Sequence, residues 1–461
     1  MSTKYKGKKV LVLGFGSTGA AVLRFLVKQG AKVTVADLKP KSELTLSFER
    51  TSDVKFETVL ENIQGISYDG YDLIVLSPSI RPNAKTLEKA RVAGIPVVSE
   101  LDILAGSLKE PLICVTGSNG KTTVAELIGA MFKADHKSAY VGGTHDRPLT
   151  QYFSEPNKSD IVVAEISAAQ LEQTQKLVPS VAVFLNIHQD HLDKFSSLES
   201  YTEQKRKLLK SCDKNTYVVC NYDNPVTREF GQSTNGKLYW FTKLDPMSLG
   251  GEFAEKFMGC YYNTSTKKVT AKFSSRDEIY DFSNVKLFGE HNKENLMAAI
   301  CAARVQGVSQ AAVQQVISEF APLPHRLEFL RRKDGVYIFN DTYSTNPAAI
   351  GRALGSFPAN PIILVAGGRD KNVDFSGLQE LVKSRCKTLI FMGEAKEKLN
   401  RALGDLVETF LVGTYEEAIL LAFQKSRNGD ILLLSPGCTH ADQFKSFQER
   451  GEIFRNLVLR A

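Results

Sequence analysis

The sequence predicts an α/β protein made of three successive strand-and-helix segments, and three observations carry that reading. The chain has 461 residues, which at roughly 150 residues per domain suggests about three domains. Short apolar, β-branched runs alternate with helical patterns almost throughout, the order that builds parallel sheets with crossover helices. Two of the strand-to-helix junctions carry glycine-rich turns, Gly14–Gly19 and Gly117–Gly120, where the backbone can turn tightly and approach an anion.

The first segment, residues 1–107, reads as a Rossmann-like domain. A strand is expected at Val10–Leu13, a helix at Ala20–Gln29, and strands at Lys32–Ala36, Leu73–Leu76 and Pro96–Val98. The second, residues 108–322, reads as a P-loop-type ATPase domain. It opens with a strand at Leu112–Val115, the turn, and a helix over Thr122–Phe132. Strands follow at Ile161–Ala164, Val181–Asn186, Tyr217–Asn221 and within Gly259–Phe288, and amphipathic helices at Glu294–Gln306 and Gln310–Phe320. The third, residues 323–461, is a second Rossmann-like domain with no glycine fingerprint at its start. Its strands are expected at Val336–Asn340, Ile362–Ala366, Thr388–Phe391 and Ile431–Leu434.

Composition narrows the function classes. With 58 basic and 51 acidic residues the net charge is +7. That excess fits a solvated surface or a pocket for small polyanions; a nucleic-acid partner is not expected, because no dense basic stripe is present. No apolar run approaches the length of a membrane span, and the polar start, Met1 to Lys9, does not read as a signal peptide, so none is expected. The seven cysteines are scattered, without a CxxC pair. They read as small core residues in a reducing compartment, so a cytoplasmic protein is expected.

The sharpest chemical signal is Val115-Thr116-Gly117-Ser118-Asn119-Gly120-Lys121-Thr122-Thr123. Between a strand and a helix, backbone N–H groups and the helix dipole attract phosphate. Lys121 can reach terminal phosphates as a point charge, and Thr122 can offer its hydroxyl to Mg²⁺. The loop is shorter than the full GxxxxGK[ST] pattern, and a purely structural glycine turn is the alternative. Glu165 follows a strand, where a carboxylate is a natural Mg²⁺ ligand or a surface residue opening a turn. His191, flanked by Asp190 and Asp193, suits metal binding or proton handling, or simply a hydrogen-bonded loop. Lys205, in the charged helical run from Tyr201, reads on its own as a solvated helix lysine.

Taken together these motifs resemble the Mur ligase family. The matches run in order: Gly117–Thr123, Glu165-Ile166-Ser167, Asn186 to Asp193, Gly289-Glu290-His291-Asn292 with Asn295, Pro324-His325-Arg326, Asn340-Asp341, and Gly367 to Lys371. The N-terminal Gly14-Phe15-Gly16-Ser17-Thr18-Gly19 with Asp37, and Ser435-Pro436-Gly437-Cys438 continuing to Arg450-Gly451, resemble the glutamate-adding branch. The resemblance implies an amide ligase that spends ATP, with Mg²⁺, to join D-glutamate to UDP-N-acetylmuramoyl-L-alanine through an acyl phosphate. It implies a cytoplasmic, monomeric enzyme of peptidoglycan precursor synthesis.

Residue roles follow from the same resemblance. Gly14, Ser17, Thr18, Asp37 and Ser77 would hold the uridine diphosphate. Gly117, Ser118, Asn119, Gly120, Lys121, Thr122, Thr123, Asn295, Arg326 and Asp341 would hold ATP. Thr122, Glu165, His191 and Lys205 would serve the metal, Lys205 as a carbamate. Thr345, Lys371, His440 and Phe447 would contact the amino acid. Lys121, His191 and Lys205 would be the catalytic set.

Departures from the branch pattern bear on the acceptor side. Tyr343 stands where that branch usually carries Lys, and His440 where it often carries Ser. Gly142-Gly143-Thr144 lacks the usual Asn, and Ala168-Ala169 replaces Ser-Phe. L-glutamate or another amino acid therefore remains an alternative. Two other classes stay open from the residues alone: an oxidoreductase using the N-terminal fingerprint for NAD, and a nucleotide-binding regulator without turnover.

Overall fold

The computed structural model describes residues 4–61, 66–81, 87–144, 147–175, 177–188, 195–273, 276–370 and 372–460. Three sheets follow one another along the chain, each with its own core.

The first holds β1 (Lys9–Leu13), β2 (Lys32–Asp37), β3 (Glu57–Leu60), β4 (Leu73–Leu76) and β5 (Val97–Ser99), in the order β3-β2-β1-β4-β5. Every pairing is parallel. Four consecutive residues of β1 and all of β4 are buried, as strands covered on both faces must be. The direction of winding reverses between β1 and β4, so their carboxyl ends open a crevice. The helix Ser17–Lys28 starts there.

The second sheet comprises β6 (Leu112–Thr116), β7 (Ala139–Gly142), β8 (Ile161–Glu165), β9 (Val181–Phe184), β10 (Tyr217–Asn221), β11 (Lys237–Thr242), β12 (Gly259–Asn263), β13 (Lys268–Phe273) and β14 (Arg276–Asp281). Their order is β14-β13-β12-β11-β10-β9-β6-β8-β7. β6 lies between β9 and β8 and is buried throughout. The last two strands run antiparallel as a meander, so this sheet is mixed rather than purely parallel. Helices Lys121–Ala134, Glu290–Arg304 and Gln310–Glu319 cover one face around Leu127, Ile128, Leu296 and Ile300. The opposite face packs around Phe184, Tyr201, Leu208 and Phe230.

The third sheet holds β15 (Glu328–Lys333), β16 (Val336–Asn340), β17 (Ile362–Gly367), β18 (Cys386–Met392), β19 (Glu408–Leu411) and β20 (Ile431–Leu434), in the order β15-β16-β20-β17-β18-β19. It is parallel except for the edge strand β15. The expected strands are all present, with ends that differ by a residue or two. β3, β7, β11, β15 and β19 are additional, and four of them lie at sheet edges. Half-exposed sequences such as Glu328-Phe329-Leu330-Arg331-Arg332-Lys333 carry no continuous apolar run to betray them. All seven cysteines are buried and unbridged.

Candidate active site

The phosphate loop leaves β6 between its neighbours β9 and β8. Gly120 has φ +89°, and a Cβ there would run into Oδ1 of Asn295; only glycine fits that left-handed, crowded position. The loop is stapled to the end of β9. Ser118 N donates to the Asn186 carbonyl at 2.8 Å, Asn119 N to Asn186 Oδ1 at 3.0 Å, and Asn186 Nδ2 to the Asn119 carbonyl at 3.1 Å. Such pairing leaves the loop's shape set before any ligand arrives, which is how a preorganised anion site is built. Lys121 heads the following helix, and its Nζ donates to the carbonyls of Gly117 and Ser118, both at 3.0 Å.

Thr122 Oγ1 donates to Glu165 Oε2 at 2.5 Å. Glu165 ends β8 rather than following it, and so faces the mouth of the sheet beside the loop. This hydroxyl and carboxylate form a hard-oxygen pair suited to Mg²⁺, which keeps several positions for water and substrate phosphates. Arg326 of the third segment reaches in, donating from Nη2 to the same Thr122 Oγ1 at 2.7 Å.

Lys205 corrects the reading of a solvated helix lysine. Although its helix, Leu198–Lys210, is charged, Lys205 is 1% exposed. Its Nζ donates to the Gly117 carbonyl at 3.0 Å and Thr116 Oγ1 at 3.3 Å, and sits 4.8 Å from the ring centre of Tyr201. The sequence holds a signal for this. Tyr201, Lys205, Leu208 and Leu209 share one helical face, and the other three are apolar and buried.

Asn119, Gly120, Thr123, Asn295, Arg326, Asp341 and Tyr343 line one cavity between the second and third segments. Asp341 is buried just past the end of β16. It accepts from Ser435 Oγ at 3.0 Å and the Leu327 amide at 3.1 Å. Burial pushes its carboxyl up to about 7, against the pull of these bonds and of Arg326 and Arg352. The same cavity holds His291, whose burial, with Arg352 and Lys243, pushes its ring down to about 3. Asn119 Nδ2 and Ser344 Oγ are enclosed without a protein partner among the described residues. Both residues line this cavity, so these are polar groups left for a ligand. Ser344 and Arg352 are sites that sequence reasoning misses, since a small hydroxyl or a helix arginine gives no local signal of such a role.

A second opening, a cleft of about 910 Å³ open to solvent, runs past the other side of the loop. That lies near the upper end of the roughly 300–1,000 Å³ of a small-molecule site. At one end it is lined by Ser17, Thr18, Asp37 and Ser77, and at the other by Ser118, Lys121, Thr122, Glu165 and Thr345. Gly14 has φ +92°, with room for no Cβ beside Ser77. Asp37 Oδ2 accepts from the Phe15 amide at 2.6 Å and shapes the turn. Gln173 ties the two segments together, donating to the carbonyl of Ser77 at 2.9 Å.

On the far side, Phe447 opens the helix Phe447–Arg460 and lies edge-on to Tyr343, ring centres 4.4 Å apart. His440 is half-buried, and its carbonyl accepts from the Gln443 and Phe444 amides. Neither lines the cavities described above. Arg450, fully buried, donates to Thr342 Oγ1 and to the carbonyls of Thr342 and Cys438. It binds the Asp341–Thr345 strap to the Cys438–His440 turn, a role that the sequence alone does not assign. His191 and Lys371 lie outside the described residues.

Comparison with known proteins bears directly on this geometry. Residues 8–99 match the Mur ligase MurD-like N-terminal domain, residues 115–303 the Mur ligase middle domain, and residues 325–438 the Mur ligase glutamate ligase domain. The UDP-N-acetylmuramoylalanine–D-glutamate ligase of Bdellovibrio bacteriovorus is 39% identical over 461 residues, spanning 98% of this chain and 97% of its own. The fold is shared with a pseudomurein peptide ligase type C from Methanothermus fervidus, at a TM-score of 0.62 and 20% identity over 98% and 100% of the two chains. It is also shared with a MurF ligase from Thermotoga maritima in complex with ADP, at 0.58 and 18% over 100% and 97%. Three consecutive domain matches and a relative alike from end to end agree with the three sheets and their loops: the chain belongs to the Mur ligase family.

Proposed function

We propose that the protein joins D-glutamate to UDP-N-acetylmuramoyl-L-alanine at the expense of ATP, in cytoplasmic synthesis of peptidoglycan precursors. One observation carries this reading. The large cleft is continuous from the N-terminal fingerprint to the phosphate loop and on to Thr345, so a nucleotide-linked acceptor lying along it delivers its far end to Lys121. The Bdellovibrio bacteriovorus relative bears the name of this activity. Membership in a ligase family leaves the nicotinamide reading of the fingerprint without support.

The chemistry asked of the site is anion meeting anion. The acceptor carboxylate attacks the γ-phosphorus of ATP to give an acyl phosphate and ADP. The glutamate amine then attacks the acyl carbon, and inorganic phosphate leaves. Lys121, the loop amides and Arg326 supply fixed positive charge where negative charge accumulates; phosphoryl transfer depends above all on such placement of charge. Asn295, Asp341, Asn119 and Ser344 hold the nucleotide in the cavity between the second and third segments. Gly14, Ser17, Thr18, Asp37 and Ser77 hold the uridine diphosphate. Thr345, His440 and Phe447, with Lys371, hold glutamate. Thr122 and Glu165, with His191 and with Lys205 once carbamylated, would hold Mg²⁺, which on binding screens the phosphate charge.

Steady-state phosphate release tests the proposal. ATP and UDP-N-acetylmuramoyl-L-alanine are mixed with D- or L-glutamate in magnesium buffer. Release that depends on D-glutamate is the expected outcome. Equal release with the L-isomer would remove the stereochemical assignment, and no release with either would remove the activity.

A further inference from the structure

Tyr343 occupies the position where the glutamate-adding branch usually carries lysine, and its surroundings give it a defined task. The Arg326 guanidinium lies over its ring, 3.5 Å from the centre, and that guanidinium donates to Thr122 of the phosphate loop at 2.7 Å. Phe447 lies edge-on to the same ring, 4.4 Å away. The Tyr343 amide donates to the His325 carbonyl at 3.1 Å, which fixes the strap bearing the ring to the segment bearing the arginine. His325 and Leu327 flank Arg326 with φ +65° and +45°. This left-handed backbone costs free energy for residues other than glycine, so its surroundings must hold it.

A short chain of contacts therefore runs from Phe447 through Tyr343 and Arg326 to Thr122. We infer that Tyr343 is a positioning residue that couples the amino-acid pocket to the nucleotide pocket, by holding the Arg326 guanidinium over the phosphate loop. The inference rests on the ligase reading above and adds a route between its two pockets. The ring face attracts the guanidinium, and the Tyr343 hydroxyl adds hydrogen bonds to Thr122 and Arg326. The arginine can then follow the ring when Phe447 shifts.

Steady-state constants for ATP, D-glutamate and the nucleotide-linked acceptor test it in Tyr343→Leu, Tyr343→Phe, Phe447→Leu and Arg326→Lys. Tyr343→Leu is expected to raise the apparent KM for ATP on the order of tenfold, the scale of a desolvated cation–ring contact, and to raise that for glutamate as well. The KM for the acceptor is expected to stay unchanged. Tyr343→Phe keeps the ring and is expected to stay within about threefold of the unaltered enzyme. Phe447→Leu lies on the amino-acid side and is nevertheless expected to raise the KM for ATP. Adding Tyr343→Leu to Arg326→Lys is expected to cost little more in KM for ATP than the worse single change. A normal KM for ATP in both leucine variants, or additive losses in the double variant, would overturn the inference. Should Tyr343→Leu not fold, the Phe447→Leu and Tyr343→Phe results decide alone. Glutamate-dependent turnover of the unaltered enzyme in the same assay separates failure of this coupling from failure of the ligase reading.

Discussion

The ammonium of Lys205 donates to the carbonyl of Gly117 at 3.0 Å. A helix residue 88 positions along the chain thus bears on the backbone of the phosphate loop. Replacing Lys205 by methionine keeps the length of the side chain and removes its charge. It removes one of two donors to the Gly117 carbonyl, which keeps Lys121 Nζ at 3.0 Å, so little stability is expected to be lost. Turnover is expected to fall on the order of 100-fold, as for other preorganised groups at a charged transition state. Melting by circular dichroism should show the fold retained. Turnover within a few-fold of the unaltered enzyme would argue against a role at the reacting phosphate.

Lys121 gives a simpler expectation. Its side chain is only partly buried, and its bonds go to the carbonyls of its own loop. Lys121→Ala should fold normally and lose turnover by on the order of 100-fold or more. Phosphate release at an unaltered rate would refute the assignment of the loop.

At the other end of the cleft, Gly14→Ala forces a Cβ to 2.6 Å from that of Ser77 on a backbone with φ +92°. Strain of that kind is worth about 1–3 kcal/mol. The expected signature is a raised KM for the nucleotide-linked acceptor with the KM for ATP unchanged. A rise in both would mean that the two ends of the cleft do not act as separate subsites.

Asp341 should leave a mark on stability against pH. Its carboxyl titrates near 3.8 ordinarily and at about 7 in the buried site. Between those values the folded protein keeps a proton that the unfolded chain has released. Its contribution to stability is therefore full below 3.8 and is lost as pH rises through about 7. His291, pushed down to about 3, slopes the other way as pH falls below its ordinary 6.5. The difference between the unaltered protein and Asp341→Asn isolates the carboxyl. Urea midpoints across that window should show the variant losing less stability as pH rises, and parallel profiles would contradict the assignment.

How far the molecule is legible in its sequence depends on what each residue does locally. The strands at the centres of the sheets announce themselves, because burial on both faces demands unbroken apolar runs such as Ile362–Ala366. The turn Gly117–Gly120 is legible because its chemistry is contiguous. Lys205 misleads because its neighbours Glu203, Arg206 and Lys207 draw attention to charge, while the apolar face through Tyr201 and Leu208 carries the information. Arg450 and Tyr343 are invisible in their roles: each acts on segments about a hundred residues away or across a strap, and no local pattern encodes such a partner. Edge strands such as β15 escape because half-exposed backbone tolerates Arg331, Arg332 and Lys333 as readily as valine.

The seven buried thiols have a practical meaning of their own. Burial holds those of Cys114, Cys220 and Cys260 well above their usual range, and pushes those of Cys212 and Cys386 up to about 12. An alkylating reagent attacks the thiolate, so the native molecule should react slowly everywhere at once. Because the cysteines are spread over the second and third sheets, the order in which they become labelled under mild denaturant would chart which layer of the enzyme opens first.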